Sequence, residues 1–215
     1  MKRPRLILDF DGTLTDCRRR QVVVARVIGR AFGIDIDPDR FWGMKRTGYS
    51  TLRIFSAFGI PDGDAKSMSD LWVLQIEGLP WLAYDRLWDG IRDDLLMVKL
   101  RGWEIVLLSA RRSVCRLRWQ LETLGLSGLL DRTIVVDPGQ AVAKKAEALK
   151  KWIPNVYIGD SEADLMAAKM AGVQFIGVVC GQRSREFLAR LVEDESQVLK
   201  ENTRAAIFEA LCMAG

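Results

Sequence analysis

Leu6-Ile7-Leu8-Asp9-Phe10-Asp11-Gly12-Thr13 is a short apolar run that ends in two aspartates and a glycine. Three consecutive branched apolar residues predict a strand buried on both faces, as in a parallel sheet covered by helices. Side chains two apart on an extended chain point the same way, so Asp9 and Asp11 face one spot at the strand's carboxyl edge. Open α/β sheets bind their ligands at that edge. Asp11-Gly12 also has the composition of a plain turn, with Asp9 a solvated strand end. The chemical reading requires a cation to keep the two acids ionised side by side. Magnesium, which prefers carboxylate oxygens and phosphate, suits it.

A second stretch repeats the pattern. Val156-Tyr157-Ile158-Gly159-Asp160-Ser161-Glu162-Ala163-Asp164 reads as strand, glycine turn and helix start, with Asp160 at the strand end and Ser161 as the helix cap. Ser161-x-x-Asp164 is also a capping box, so Asp164 serves the helix, the metal site or both. Asp160 is the better candidate ligand.

Further apolar runs at Glu104 to Leu108, Thr133 to Val136 and Phe175 to Val179 each precede a helix-like segment. Strands alternating with helices predict an α/β fold with a doubly wound parallel sheet. The alternation fails between Cys17 and Arg86. There Val22 to Ile28, Leu52 to Phe58 and Met68 to Ile76 have helical periodicity, with breaks at Pro38, Gly48, Pro61-Asp62-Gly63 and Pro80. The expected organisation is a core of residues 1–16 and 87–215 with an α-helical cap of residues 17–86 inserted after the first strand. Trp42, Trp72, Trp81 and Trp88 fall in or beside the insert and read as its apolar core.

Composition narrows the chemistry. The 215 residues contain no histidine, which excludes Ser-His-Asp and Cys-His catalysis and histidine metal ligands. The four cysteines Cys17, Cys115, Cys180 and Cys212 form no C-x-x-C pair and read as free thiols, which fits a cytoplasmic protein. Leu6-Ile7-Leu8 is too short for a signal-peptide core, and no apolar run approaches a membrane span. The net charge is +4, but Arg18-Arg19-Arg20, Arg111-Arg112 and Lys144-Lys145 are short clusters among acids, read as solvated helix faces or a funnel for a small anion. Neither a nucleic acid nor a membrane is expected as partner.

Two weaker motifs lie between the acidic ones. The strand at Glu104 ends in Ser109-Ala110-Arg111, where a hydroxyl and the backbone N–H groups opening a helix at Arg112 to Leu124 offer a phosphate cradle or an ordinary cap. Lys144-Lys145 opens a helix directly before the Asp160 strand. Adjacent helical positions differ by about 100°, so one of the two can point inward, Lys145 in preference to Lys144.

In this order, Asp9-Phe-Asp-Gly-Thr-Leu-Thr-Asp16, Leu107-Leu-Ser109-Ala110, Lys145 and Gly159-Asp160-Ser-Glu-Ala-Asp164 resemble the four motifs of the haloacid dehalogenase-like phosphohydrolase superfamily. The resemblance spans Leu6 to Gly177 and continues into Gly181 to Leu211, similar to that family's closing helix, strand and helix. The helical insert resembles the small α-helical cap of the phosphoglycolate phosphatase and β-phosphoglucomutase branch.

The resemblance implies an enzyme in which Asp9 attacks phosphorus and forms an aspartyl-phosphate, while Asp11 protonates the leaving oxygen and then activates water. It implies Mg²⁺ as cofactor, held by the Asp9 carboxylate, the Asp11 carbonyl and Asp160, with Asp164 orienting the site. Ser109 and Lys145 would hold the transferring phosphoryl group, with Thr13 and Ala110 beside it. An acid at position 11 favours C–O–P ester chemistry over the dehalogenase and phosphonate branches. In the insert, Phe41-Trp42-Gly43-Met44-Lys45-Arg46-Thr47-Gly48 suits a loop that closes over an anionic substrate, with Lys45 and Arg46 as substrate-binding cations, and equally suits solvated surface.

The expected activity is hydrolysis of a small soluble phosphorylated metabolite, by a monomer or a homodimer. A sugar-phosphate mutase of the β-phosphoglucomutase type and a non-catalytic binding protein on the same fold are the alternatives.

Overall fold

A computed structural model of the protein describes residues 3–192 and 198–213. Its core is a six-stranded parallel sheet. In chain order the strands are β1 (Arg5–Leu8), β4 (Glu104–Ala110), β5 (Arg132–Val136), β6 (Val156–Gly159), β7 (Phe175–Val178) and β8 (Leu199–Lys200), and in space they run β5-β4-β1-β6-β7-β8. β1 is therefore central, with Leu8 opposite Leu107 of β4 on one side and Ile158 of β6 on the other. All four residues of β1, β6 and β7 are buried.

The two faces of β1 go to different layers. Leu6 and Leu8 join a cluster with α6 (Ile91–Leu100), α7 (Val114–Thr123) and the closing helix α11 (Thr203–Met213), through Leu95, Leu117, Leu121, Ile207 and their neighbours. Ile7 points the other way, into a cluster with α8 (Ala141–Trp152) and α9 (Glu162–Ala171) through Ala146, Leu149, Leu165 and Ala168. The near-continuous apolar strands are thus explained by helices on both sides. Crossovers of this kind bring every strand's carboxyl end to one edge. α10 (Arg185–Ala189) sits against β8 with a small apolar cluster of its own.

Helices α1 (Arg18–Ala31), α2 (Pro38–Arg46), α3 (Thr51–Ala57), α4 (Asp62–Gln75) and α5 (Leu79–Leu82) lie between the short strands β2 (Thr15–Asp16) and β3 (Arg86–Leu87), which pair antiparallel. They surround a separate apolar cluster that includes Val24, Ile28, Ile36, Phe41, Trp42, Ile54, Phe55 and Met68. Trp72 and Trp81 pack on this cluster, whereas Trp88 packs on the sheet and donates from Nε1 to the Gly12 carbonyl at 3.3 Å.

The segment read as a closing loop is largely helical. Asp37 caps α2 by accepting from the Arg40 N–H, Pro38 occupies its first turn, and Gly43 lies inside it. The chain leaves the helix through Thr47 and Gly48, whose φ is +86°. Gly48 lies so close to the Phe187 ring that a Cβ would overlap it.

Candidate functional site

The acids gather at the carboxyl edge of the three central strands. Asp9 follows β1 directly and Asp160 follows β6. A ligand oxygen from each of Asp9, Asp160 and Asp164 lies within 4.8 Å of the others, all three buried. Between Asp9 and Thr15 the chain makes a tight loop, with the Leu14 and Thr15 N–H groups both donating to the Phe10 carbonyl. Gly12 stands at φ +83°, and a Cβ there or at Gly181 would overlap the Asp160 carboxylate. Two backbone segments therefore close on Asp160 as only glycine permits.

Lys145, and not Lys144, points inward. Its ammonium donates to Asp9 Oδ1 at 2.7 Å and Asp164 Oδ1 at 2.6 Å, whereas Lys144 pairs with Glu147 on the surface. Asp164 is fully committed, because Oδ1 also accepts from the Tyr157 hydroxyl and Oδ2 accepts from the Ser161 hydroxyl at 2.6 Å and the Ser161 N–H at 3.2 Å. Both halves of the expected capping box are present. Asp164 thus caps α9 and holds Lys145 against Asp9.

Asp160 accepts from the Gln182 N–H at 2.6 Å and, more weakly, from the Thr13 hydroxyl at 3.4 Å. No ammonium or guanidinium pairs with it among the described residues. Burial, with Asp9 and Asp164 alongside, pushes its carboxyl well above the usual range. Burial likewise pushes Asp9 up to about 7 against the pull of Lys145. Burial acts on Asp164 in the same direction, but Lys145, Ser161 and Tyr157 overcome it and leave that carboxyl low. The site thus holds an acid without a counter-charge inside an oxygen-rich, glycine-walled pocket. That donor set fits a hard divalent cation such as Mg²⁺, which Asp9, Asp160 and the Asp11 carbonyl would hold. The same carbonyl accepts from Gln182 Nε2 at 3.3 Å.

Asp11 has partners that its sequence context did not suggest. Arg111 makes a two-pronged contact, Nε to Oδ2 at 2.6 Å and Nη2 to Oδ1 at 2.7 Å, and Arg20 donates to Oδ1 from the other side. Burial works to raise this carboxyl, but Arg111 and Arg20 outweigh it and hold it below the usual range. Arg20 also lies 3.2 Å from Asp85, Gln120 donates to Asp85 at 2.7 Å, and Arg111 donates to Gln120 at 3.1 Å. Asp11, Arg20, Asp85, Gln120 and Arg111 therefore close into a ring that ties both connections of the helical insert to β4 and α7.

The reading of Arg20 and Arg111 as solvated cations is corrected: they are 3% and 4% exposed. The spacing that puts Arg20 one turn from buried Val24 was the available signal for the first. Nothing local signalled Gln182, which is hydrogen-bonded to Asp11, Asp160 and Gln21.

Ser109 is buried at the end of β4, and Ala110 lines a cavity beside Asp11. The N–H groups expected to cradle phosphate are otherwise engaged. α7 begins at Val114, and the N–H groups of Arg112 and Ser113 donate to the Glu77 carboxylate of the insert at 3.0 and 3.1 Å. Lys45 and Arg46 do not reach the acids either. The Lys45 ammonium is buried within the insert, donating to Thr51 at 2.9 Å and lying 4.4 Å from the centroid of the Trp72 ring. Arg46 donates to the carbonyls of Val179 and Gly181 at 2.8 and 2.9 Å. It pins the insert to the loop that carries Gln182.

No family model matches the chain. A phosphoglycolate phosphatase of Synechococcus elongatus is 27% identical over 212 residues, 93% of this chain and 97% of that protein. Among solved structures, a haloacid dehalogenase-like family hydrolase from Streptococcus pneumoniae superposes with a TM-score of 0.77 at 15% identity, covering 99% of both chains. A predicted phosphatase from Clostridium acetobutylicum superposes at 0.73 with 19% identity, covering 98% and 99%. The order of the sheet, the convergence of the acidic motifs at its carboxyl edge and the nearly full-length relative agree: the chain has the fold of haloacid dehalogenase-like hydrolases and is similar along nearly its whole length to a phosphoglycolate phosphatase.

Proposed function

We propose that the protein is a Mg²⁺-dependent phosphomonoester hydrolase acting on a small phosphorylated metabolite through an aspartyl-phosphate. The observation that carries this reading is Asp9 at the end of the central strand, with Lys145 hydrogen-bonded to it on one side and unpaired Asp160 within reach on the other. A carboxylate so placed can attack phosphorus. The lysine neutralises phosphoryl charge, and a bound Mg²⁺ would supply the rest of the charge stabilisation.

In the first step an Asp9 oxygen bonds to phosphorus, the bond from phosphorus to the ester oxygen breaks, and that oxygen takes a proton from Asp11. In the second, water gives Asp11 a proton and attacks the aspartyl-phosphate, releasing phosphate and restoring Asp9. Ser109 and Lys145 hold the phosphoryl oxygens, Thr13 holds Asp160, and Asp164 acts through Lys145. We take residues 17–86 as the cap that excludes water from these steps.

The test is phosphate release from a panel of small phosphate esters, with and without Mg²⁺, by wild type and Asp9→Asn. Mg²⁺-dependent release that falls at least about 10³-fold in the variant is the expected outcome. Equal release by both proteins would refute the role of Asp9. Interconversion of phosphate positions without net release would assign the site to a mutase.

A further inference from the structure

The cavity beside Asp11 has a volume of about 240 Å³, below the roughly 300–1,000 Å³ of pockets for drug-sized ligands and suited to a small metabolite. Its charged lining comprises Arg20, Arg111 and Arg112 against Asp11 and Glu77, an excess of one positive charge. Among the described residues that line this cavity, three buried side-chain atoms lack a hydrogen-bond partner: Arg111 Nη1, Trp72 Nε1 and Gln21 Oε1. Two of those three are donors, while Arg20 Nε lies 3.2 Å from Asp85 Oδ1. Buried donors left unpaired are costly, and two of them beside surplus positive charge suit an anion with more than one acceptor oxygen.

The phosphoryl group being transferred does not meet this demand, because it belongs between Asp9, Lys145 and Ser109. Asp11 is meanwhile unavailable to a leaving oxygen, since its two oxygens accept three guanidinium N–H bonds. Resting on the phosphatase reading above, we propose that Arg111 and Arg20 form a subsite for a second anionic group of the substrate, and that this group takes the guanidiniums from Asp11, whose carboxylate then takes up a proton from solvent and delivers it to the leaving oxygen. A carboxylate or a second phosphoryl group a few bonds from the scissile ester has the chemistry for the arginine fork. Binding at a remote group is then converted into rate.

Three two-carbon phosphate esters test this, ending in a carboxylate, a second phosphate or a hydroxyl, with wild type and Arg111→Lys compared in Mg²⁺. Arg111→Lys keeps the charge and removes the fork. Expected for wild type is a kcat roughly 10- to 100-fold higher for at least one anionic ester than for the hydroxyl ester, a ratio that falls to within about threefold in the variant. The faster anionic ester identifies which group the subsite takes. A ratio near one in wild type, a ratio unchanged in Arg111→Lys, or a preference confined to KM would each overturn the proposal. Calorimetric titration with phosphonoacetate and ethylphosphonate reads the subsite without turnover, and circular dichroism confirms that the variant is folded. Tighter binding of phosphonoacetate that depends on Arg111, with no ester hydrolysed, would sink the phosphatase reading and leave the subsite. Hydrolysis of all three esters without preference would do the reverse.

Discussion

Replacing Lys45 by methionine removes a buried ammonium whose hydrogen-bond acceptor is the Thr51 hydroxyl and whose other close partner is the face of Trp72. Burial above all, then the guanidinium of Arg183, brings this lysine from 10.5 down to about 7. Cys17 and Glu162 pull weakly the other way. Between those two values the unfolded chain holds a proton that the native protein lacks, so unfolding takes one up. Raising the pH makes that uptake harder and stabilises the fold by about 1.4 kcal/mol per pH unit. Methionine fills a similar volume, keeps contact with the indole and does not titrate. Urea unfolding of both proteins from about pH 7.5 to about pH 9.5 should therefore show wild type gaining about 2.7 kcal/mol relative to Lys45→Met. The thiols and other shared groups cancel in this difference. Below about pH 7 the gap stops changing, because both states of wild type are protonated there. A difference that stays flat across the window would mean that Lys45 remains charged in the native protein, and the argument from burial would fail.

Gly12→Ala places a methyl group on the Asp160 carboxylate in a left-handed conformation that costs about 1–2 kcal/mol by itself. It should lower the thermal midpoint and abolish Mg²⁺-dependent phosphate release. Asp160→Asn removes a buried carboxyl whose ionisation the metal-free fold disfavours, so the metal-free protein should unfold at a higher denaturant concentration than wild type while Mg²⁺ titration shows binding weakened at least about 10-fold. Arg46→Ala frees the carbonyls of Val179 and Gly181 and should speed amide exchange in residues 179–184, where loss of charged hydrogen bonds worth about 2 kcal/mol corresponds to roughly 30-fold. Tyr157→Phe deletes the hydroxyl on Asp164 and should cost about 1–2 kcal/mol in urea unfolding.

The sheet was legible because both faces of its strands are covered. Leu6-Ile7-Leu8 and Val156-Tyr157-Ile158 are apolar at every position for that reason, and the acids that follow mark where the apolar strands give way to a buried polar site. Their convergence follows from parallel pairing, since neighbours β1 and β6 end at the same edge. The partners of Asp11 were not legible in the same way. Arg111 lies 100 positions along the chain from Asp11, and a guanidinium has the same local sequence signature whether it is solvated or buried against a distant carboxylate. Arg20 sits in a run of three arginines of which its neighbours Arg18 and Arg19 are exposed. Lys45 and Arg46 failed in the opposite sense. Two cations beside glycines suggested an open loop, but α2 buries Lys45 under Trp72 and sets half-buried Arg46 on the carbonyls of the Gln182 loop.

The counter-charges divide the work among the four acids. Asp164 shares Lys145 and spends its remaining hydrogen-bonding capacity on Ser161 and Tyr157, so it is a fixed anchor with no oxygen to spare. Asp11 has two guanidiniums, more than its charge needs, and both come from residues that border a cavity with unpaired donors. Asp9 has half a lysine, and Asp160 has two neutral donors. In the proposed mechanism Asp11 must leave its resting partners to act, and guanidiniums that another anion can claim suit that requirement. The nucleophile proposed at Asp9 must stay ionised yet uncommitted at one oxygen, which suits a carboxylate sharing its lysine with an anchor. Asp160 has no such option, because no cation among the described residues pairs with it, and its charge is tolerable in that pocket chiefly when a cation is bound. Removing the positive partner therefore has different consequences at each acid: losing Lys145 strands Asp9 and Asp164 together, at a cost of about 3–5 kcal/mol for a broken buried pair, whereas losing Arg111 leaves Asp11 with Arg20 and alters its availability more than its stability.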